Sequence, residues 1–194
     1  MSFEPPDFRA TMGHFATGVT VVTTALDKTH FGLTVNAFCS VSLKPSLILV
    51  SLDLHSQTLP VIRQSGVFAV NVLAQEQQHL ATRFARKDLQ SKTFDDIPLR
   101  VGQTGAPLFS EALAWIECRV VQEYPGGDHA LVLSEVLHVA SHGDHHEPLL
   151  YYRSSFRAIQ QEDRSGSQPV STTTVVSGRR EGKKTGDAAS ILLV

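Results

Sequence analysis

Residues 112–141 read ALAWIECRVVQEYPGGDHALVLSEVLHVAS, and this stretch decides the fold. Two runs rich in Val, Leu and other strand-forming residues, 112–124 and 130–141, flank the turn formers at 125–128. Such runs favour β-strands, and a Pro-Gly-Gly-Asp sequence between them is typical of a tight turn. The sequence therefore predicts a long antiparallel β-hairpin.

Further strands are predicted on both sides of this hairpin. The runs 18–26, 30–35 and 46–52 are rich in Val, Thr, Leu and Ile, and the turn formers Asp27, Lys28 and Pro45 separate them. We interpret these three runs as a meander. Residues 67–73 and 148–156 are predicted as two more strands, and residues 87–110 as irregular.

Three short helices complete the pattern. The first is expected behind the N-cap Asp7, with Phe8, Met12 and Phe15 on one face and a stop at Gly18. The second covers residues 59–65 and ends at Gly66, a typical C′ glycine. The third covers residues 75–86 and is amphipathic, with Leu80 and Phe84 on one face.

Many strands joined by short turns, with helices too few for βαβ alternation, predict the fold class. The chain is expected to be mainly β, with an antiparallel sheet that closes into a barrel and a few short flanking helices. A single domain over residues 1–160 accounts for most of the 194 residues. Residues 161–194 are rich in Ser, Thr, Gly and charged residues, which predicts a disordered tail.

Composition and charge exclude several classes of partner. The formal net charge of −2 provides no field for a polyanion, so we expect no nucleic-acid partner. The N-terminus lacks the pattern of a signal peptide, and no run approaches the ~20 apolar residues that cross a membrane. Cys39 and Cys118 are far apart in apolar contexts, which predicts two reduced core thiols and a cytoplasmic location.

Two segments resemble functional motifs, but we interpret neither as a functional site. The segment 178–185, GRREGKKT, resembles a phosphate loop, but its glycines are too close together and Lys184 stands where Ser or Thr is required. His142, His145 and His146 crowd one turn with Asp144 and Glu147, but adjacent histidines rarely present both rings to one ion. We interpret this turn as solvated and predict no metal site.

Small and polar residues suggest a place for a planar ring and its phosphate. Gly32, Thr34, Asn36, Ser40 and Ser42 interrupt a strand pattern without breaking it, so that backbone amides and polar side chains can face a ring. An ordinary strand edge explains the same residues. Residues 56–58 open a helix, where free N–H groups favour an anion, and simple N-capping by Ser56 is the alternative. Arg83, Arg86 and Lys92 could complete such a phosphate site.

The order of several short motifs resembles a known family. TGVTVVTT, GLTVNAFCSVSL with Pro45, FAVNVL with ATRFA, the GDH of the hairpin turn and PLLYYR follow one another over about residues 8–159. This series is similar to the flavin reductase-like, FMN-binding split-barrel family, and in particular to the reductase components of two-component flavin-dependent monooxygenases. The chain departs from the family pattern at residues 130–134.

The resemblance implies a site in three parts. The flavin ring would be bordered by Thr34, Val35, Asn36, Ala37 and Ser40. The ribityl phosphate would be held by Ser51, Asp53, Ser56, Gln57, Thr58, Phe84, Ala85 and Arg86. The nicotinamide would be faced by His129, taken as the catalytic residue, and by Tyr152 and Arg153.

The resemblance also implies the reaction, a hydride transfer from NADH or NADPH to FMN or FAD. Reduced flavin would then pass to a partner monooxygenase, and the chain would act as a homodimer. Two alternatives remain open: a split-barrel flavin or heme carrier without nicotinamide turnover, and a flavin-dependent oxidase of a small amine.

Overall fold

In a computed structural model, the described residues are 4–86, 93–142 and 146–159. The chain divides into two units, residues 1–159 and 160–194, and the second lies outside the described residues. The predicted tail with the segment 178–185, the phosphate-site candidate Lys92, and two members of the histidine turn, Asp144 and His145, lie outside them as well. No helix of the described part is long and apolar enough to cross a membrane.

The first half of the chain forms six strands and two helices. In chain order these are α1 (Pro5–Met12), β1 (Thr17–Gly18), β2 (Thr20–Leu26), β3 (Thr29–Val35), β4 (Phe38–Leu43), β5 (Ser46–Asp53), α2 (Thr58–Ser65) and β6 (Val67–Val72).

The second half adds one helix and six strands. A 3₁₀ turn (Gln75–Gln77) leads into α3 (Gln78–Ala85), followed by β7 (Leu99–Val101), β8 (Pro107–Phe109), β9 (Ala114–Gly126), β10 (His129–Ser141), β11 (Leu150–Tyr152) and β12 (Ser155–Arg157).

Seven strands form one antiparallel sheet in the order β3-β2-β6-β9-β10-β5-β4. The two end strands, β3 and β4, are consecutive in the chain and are separated by Asn36 and Ala37. The chain therefore crosses at this bend from one end of the sheet to the other, but β3 and β4 do not pair with each other. The mainly β fold with few short helices is confirmed. The predicted closure of the sheet is wrong, because β3 and β4 do not pair, and the open sheet is consistent with a split barrel.

The long hairpin of β9 and β10 is confirmed. Gly126 pairs with His129 across a two-residue turn, in which Gly127 has a φ of +77°. A glycine is the usual residue at the first central position of a type II′ turn, because that position needs a positive φ. The helix C-terminus at Gly66 is confirmed too: its φ is +71° and its N–H donates to Ile62 O at 2.8 Å.

Four sequence predictions are wrong in detail. The meander is wrong because β5 lies at the far end of the sheet from β2 and β3, next to β4, a strand that the three-run pattern omitted. Residues 87–110 are not wholly irregular, since β7 and β8 form a small hairpin. The last predicted strand is broken into β11 and β12 by left-handed residues at 153 and 154. Cys118 is buried, but Cys39 is exposed on β4 and is not a core thiol.

Helix α1 also differs from its prediction. Its N-cap is Glu4 and its C-cap is Gly13, so it begins and ends earlier than expected. The prolines at its first two positions explain the early start, because their fixed φ suits the first helical turn, where no N–H partner is needed. Its apolar residues do not face the core, since Phe8 and Met12 are 53% and 51% exposed in the single chain.

Two apolar clusters stabilise the domain. One joins α3, β8 and Trp115, and its central side chains are Phe84, Phe94 and Phe109. The other lies between the sheet and α2 and includes Val50, Phe68 and Cys118. Burial raises the pKa of the Cys118 thiol to about 12, so this thiol stays protonated and unreactive.

Glu117 on β9 holds the loop between β7 and β8. Its carboxylate accepts hydrogen bonds from Thr104 N (2.8 Å), Thr104 Oγ1 (2.6 Å) and Gln103 N (3.2 Å). Burial alone would raise the pKa of this carboxyl, but the three donors outweigh it and hold the pKa below 4.5. Gly102 makes the approach possible, because a Cβ there would overlap Glu117 Oε1.

We expect Glu117→Gln to lower the free energy of unfolding near pH 7 by about 1–3 kcal/mol, since a buried charged acceptor is lost. A carboxyl with a lowered folded pKa stabilises fully above its unfolded pKa, and the stabilisation is lost as the pH falls through the folded value. The difference from wild type should therefore shrink between about pH 7 and about pH 3 in urea unfolding. The exposed Asp95→Asn is the control, and an equal difference at both pH values would contradict an ionised Glu117.

Candidate functional site

The bend between β3 and β4 is the centre of the candidate site. Asn36 and Ala37 are both exposed there, and Ala37 O accepts a hydrogen bond from Ser51 N at 3.0 Å. The bend therefore joins the flanking strand β5 at the position of Ser51. This contact brings together two parts of the predicted site that lie far apart in the sequence.

A cavity of about 360 Å³ opens beside this bend. Its lining residues are Phe15, Ala16, Thr17, Gly18, Thr20, Asn36, Phe38 and Val72. Asn36 Nδ2 donates to Thr17 Oγ1 at 3.3 Å, so one wall carries an amide and a hydroxyl while the rest is mainly apolar. The volume lies within the range of small-molecule sites, and the lining suits a flat ring with a few polar atoms.

His129 lies on the same outer face of the sheet. It pairs with Asp53 across β10 and β5, and Leu131 pairs with Ser51. Two residues along a strand span roughly 7 Å, so His129 is one such step from the Ser51–Ala37 contact. The bend, Ser51, Asp53 and His129 therefore form one continuous row.

The imidazole of His129 is oriented by its neighbour in the turn. His129 Nδ1 lies 2.7 Å from Asp128 Oδ1. The hydrogen bond from His129, with its charge, holds the pKa of the Asp128 carboxyl below its usual value. With Nδ1–H donating to the carboxylate, Nε2 takes no part in this hydrogen bond.

Asp53 lies opposite His129 across the two strands, but its carboxylate is hydrogen-bonded to the loop that follows β5. Its pKa is lowered mainly by the backbone N–H of His55, which donates to Asp53 Oδ1 at 2.8 Å. Asp53 thus shapes the loop after β5. The Ser56 hydroxyl accepts from Thr58 N at 3.1 Å, one residue before the N-cap position of α2, which Gln57 occupies.

Several predicted site residues are held in structural contacts. Thr58 is buried and its hydroxyl donates to Gly32 O, while the Thr34 hydroxyl donates to Ala81 O in α3. Val35 is 5% exposed and belongs to the core. The hydroxyls of Thr34 and Thr58 thus tie β3 to α3 and α2.

Of the three predicted site residues at the end of α3, one is buried and two are exposed. The ring of Phe84 is fully buried, and a Cβ at Gly32 would lie only 2.7 Å from Phe84 Cδ1. Ala85 and Arg86 are exposed at the helix end. Arg83 is committed elsewhere, because its guanidinium pairs with both Asp96 oxygens.

The remaining predicted residues lie on β4, at the start of α2 and at the hairpin of β11 and β12. Ser40 is exposed on β4, and Gln57 is exposed at the start of α2. Tyr152 and Arg153 follow Tyr151, which pairs with Thr17 of the cavity wall. Phe15 and Thr17 line the cavity although neither is a predicted site residue: Phe15 was expected on the first helix, and Thr17 belongs to the run TGVTVVTT.

The histidine turn presents no metal site in the described residues. His142 Nδ1 is 2.8 Å from Ala112 O, and His146 Nδ1 is 3.9 Å from Glu76 Oε2. Among residues 4–86, 93–142 and 146–159, no three His, Cys, Asp or Glu side chains converge as metal ligands would.

Comparisons with known proteins agree with this architecture. The model of the flavin reductase like domain family matches residues 12–160. The reductase subunit HsaB of a flavin-dependent monooxygenase from Mycobacterium tuberculosis is 36% identical, over 82% of this chain and 84% of that protein. FMN reductase (NADH) SmoA from Agrobacterium fabrum is 38% identical, over 77% and 83% of the two chains.

A solved structure of similar shape is the NADH:FAD oxidoreductase SgcE6 of Streptomyces globisporus. It superposes with a TM-score of 0.76 at 33% identity, over 83% of this chain and 98% of that one. The family model matches most of the chain, and these relatives are more than 30% identical to it. This chain belongs to the flavin reductase-like family.

Proposed function

We propose that this chain is an NAD(P)H:flavin oxidoreductase whose two substrates meet along the row from the β3–β4 bend to His129. The observation that carries the proposal is the continuity of this row: a ring-sized cavity at Asn36, the Ala37–Ser51 contact, and an oriented histidine one step further. The enzyme class is supported by relatives named FMN reductase (NADH) and NADH-dependent flavin reductase.

The residues present fit a flavin. The cavity beside the bend is mainly apolar, and the Asn36 amide and Thr17 hydroxyl can address ring heteroatoms. Half-buried Ser56 and exposed Gln57 and Arg86 are the polar groups proposed for the phosphate, with Ser40 and Ala85 at the rim. When bound, the flavin supplies the electron-accepting ring of the reaction.

The protein's own task is positioning. Hydride transfer needs reacting atoms within about 3–3.5 Å, and a cavity wall on one side with His129 on the other would hold two stacked rings. Backbone amides at the bend stabilise the negative charge that grows on the reduced ring. Asp128 keeps the His129 ring in one orientation, so that the same nitrogen faces the nicotinamide.

The departure from the family pattern at residues 130–134 does not bury the side chain of His129. Leu131 packs over Gly126, where a Cβ would lie 2.9 Å from Leu131 Cγ. Its side chain is therefore directed onto the hairpin, and the His129 side chain is still 40% exposed. This arrangement favours a reductase over a carrier without nicotinamide turnover.

Oxidation of NADH and NADPH, followed with FMN, with FAD and without flavin, tests the function. We expect oxidation of at least one donor that depends on an added flavin. Binding of flavin with no oxidation of either donor would favour the carrier, and oxidation that requires an amine substrate would favour the oxidase.

A partner monooxygenase is proposed from the relatives. HsaB is the reductase subunit of such a system, and a Rhodococcus opacus relative is the reductase component of a 4-nitrophenol monooxygenase. We propose that reduced flavin leaves this chain for an oxygenase of that kind. The free thiols of Cys39 and Cys118 support a reducing, cytoplasmic setting.

A homodimer is proposed from the outer face of the sheet. Cross-strand neighbours Tyr124, Leu131, Leu133 and Leu49 form an apolar face there, and the exposed side chains of α1 add a second apolar surface. Faces of this kind usually mark contacts with another protein. Because Ser51 and His129 lie on this same face, a second copy would border the proposed site.

We expect Leu133→Arg to convert a dimer into a monomer, because a buried interface does not accept an unpaired charge. Light scattering at micromolar concentration measures the mass. Val101→Arg, at a side chain that is 75% exposed on β7, is the control and should leave the mass unchanged. A wild-type monomer, or a dimer in both variants, would contradict this interface.

A further inference from the structure

A second, larger cavity shares no lining residue with the cavity at the β3–β4 bend or with the row that ends at His129. Its volume is about 770 Å³, which lies within the range of small-molecule sites. We call it the acidic cavity. Its polar lining residues are Glu76, Gln77, Ser110, Glu111, His142 and His146.

Backbone hydrogen bonds hold the segments that form the walls of the acidic cavity. Gln75 N, at the start of the 3₁₀ turn, donates to Glu147 O at 2.8 Å in the segment before β11. His142 N donates to Leu113 O at 2.8 Å, which joins the end of β10 to the connection between β8 and β9. The cavity is therefore part of the fold itself.

The side-chain amide of Gln77 offers hydrogen-bond donors to the acidic cavity. Gln77 is only 5% exposed, and its Oε1 accepts a hydrogen bond from Ala74 N at 3.0 Å, which fixes the orientation of the amide. Within residues 4–86, 93–142 and 146–159, its Nε2 has no hydrogen-bond partner. Because Gln77 lines the cavity, this buried amide points to a ligand that carries an acceptor atom.

His142 contributes an acceptor nitrogen to the same wall. Its Nδ1 lies 2.8 Å from Ala112 O, and because a carbonyl oxygen only accepts, Nδ1 carries the proton. In the neutral ring, Nε2 is then a hydrogen-bond acceptor. An edge contact with Trp115, with ring centres 4.4 Å apart, holds the imidazole in place.

Two carboxylates without a strong cationic partner give the cavity its charge. Glu111 forms no ion pair or hydrogen bond within the described ranges of the chain. Glu76 Oε2 has His146 Nδ1 at 3.9 Å, and this histidine is a cation only when it is protonated. The described lining residues include no Lys or Arg. The cavity is therefore suited to a cationic ligand.

We propose that the acidic cavity binds a small organic amine that also carries an oxygen acceptor. The carboxylates of Glu76 and Glu111 attract the ammonium group, His142 accepts one of its N–H bonds, and the Gln77 amide donates to the oxygen. An organic cation fits better than a metal ion, because the His and Glu side chains of the described residues do not converge on one point. The site goes beyond the proposed flavin chemistry and does not depend on it.

Nuclear magnetic resonance of the isotope-labelled full chain, titrated with 4-amino-1-butanol, tests the proposal. The side-chain amide signals of Gln77 report on contact directly. Their absence in Gln77→Glu, which keeps the acceptor for Ala74 N, assigns them. We expect these signals to shift to saturation. The amine without oxygen, 1-aminobutane, should bind more weakly, and 1,4-butanediol, which has no charge, should cause no saturable shift.

A double variant, Glu76→Gln with Glu111→Gln, removes the charge and keeps the size of both side chains. We expect its Kd for 4-amino-1-butanol to rise at least about tenfold, the loss typical of a charge-assisted hydrogen bond. Glu4→Gln makes the same chemical change at an exposed residue outside the cavity, so its Kd should equal that of the wild type. Melting temperatures show that the variants are folded, and the three compounds test the wild type independently of them.

Three results would overturn the proposal. The first is the absence of any saturable shift at Gln77 with either amine. The second is equal affinity for 4-amino-1-butanol in the wild type and the folded double variant, or binding of 1,4-butanediol as tight as that of the amine. The third is binding of Zn²⁺ that is lost in the double variant while neither amine binds, which would make the cavity a metal site.

Discussion

Phe84→Ala is expected to lower the free energy of unfolding by about 3–5 kcal/mol, the usual cost of removing a buried phenylalanine ring. Phe84 is fully buried and its ring lies 4.9 Å from that of Phe94 and 5.6 Å from that of Phe109. For a domain of this size, the loss corresponds to a fall in Tm of roughly 10 °C. Thermal unfolding by circular dichroism measures it.

The same variant shows whether Phe84 is a core residue or contacts the flavin. Since the ring faces Gly32 and the aromatic cluster, flavin affinity at low temperature should be nearly unchanged while the variant is folded. Val101→Ala, at a 75% exposed side chain, is the control and should leave Tm unaltered. A normal Tm combined with weak flavin binding would show that Phe84 contacts the flavin.

Asn36→Leu is expected to raise the flavin Kd at least about tenfold with little change in Tm. Asn36 is exposed at the bend, so the substitution removes no core contact. It does remove the amide that donates to Thr17 Oγ1, and it places a branched side chain in a cavity of about 360 Å³. Fluorescence titration with FMN measures the affinity.

The control for this substitution is Val41→Leu, which adds bulk to an exposed position of β4 outside the cavity. It should bind FMN as the wild type does. Unchanged affinity in Asn36→Leu with a lowered Tm would mean that the polar residues of this strand pattern form only an ordinary strand edge.

Local turn chemistry explains how much of the fold could be predicted. Asp27 and Lys28 both have positive φ in the turn between β2 and β3, and Gly66 and Gly127 end their elements as expected. These signals are contained within a few residues. The hairpins and helices that depend on them were therefore predictable.

The order of the strands in the sheet was harder to predict from the sequence, because it depends on contacts between distant segments. The runs containing β3 and β5 look alike in composition, yet they lie near opposite ends of the sheet. The crossing occurs at Asn36 and Ala37, and the bond from Ser51 N to Ala37 O that fixes it joins residues far apart in the chain. No local pattern encodes that pairing.

The residues predicted for the site differ in the contacts that their side chains make in the structure. Asn36, Ala37, Ser51 and His129 lie in one row, but the hydroxyls of Thr34 and Thr58 are bonded to neighbouring backbone. Sequence similarity identifies a position without showing which way its side chain is used. Thr17 was missed because only the bend brings it opposite Asn36.

We propose above that His129 faces the hydride donor at one end of the row whose other end holds the flavin. Stopped-flow reduction of FMN by NADH tests it directly in wild type and in His129→Ala, with FMN affinity and Tm measured alongside. We expect the variant to need about tenfold or more NADH for half-maximal reduction and to reduce flavin more slowly, while FMN affinity and Tm stay near wild type. Wild-type reduction rates in His129→Ala at every NADH concentration would contradict the claim.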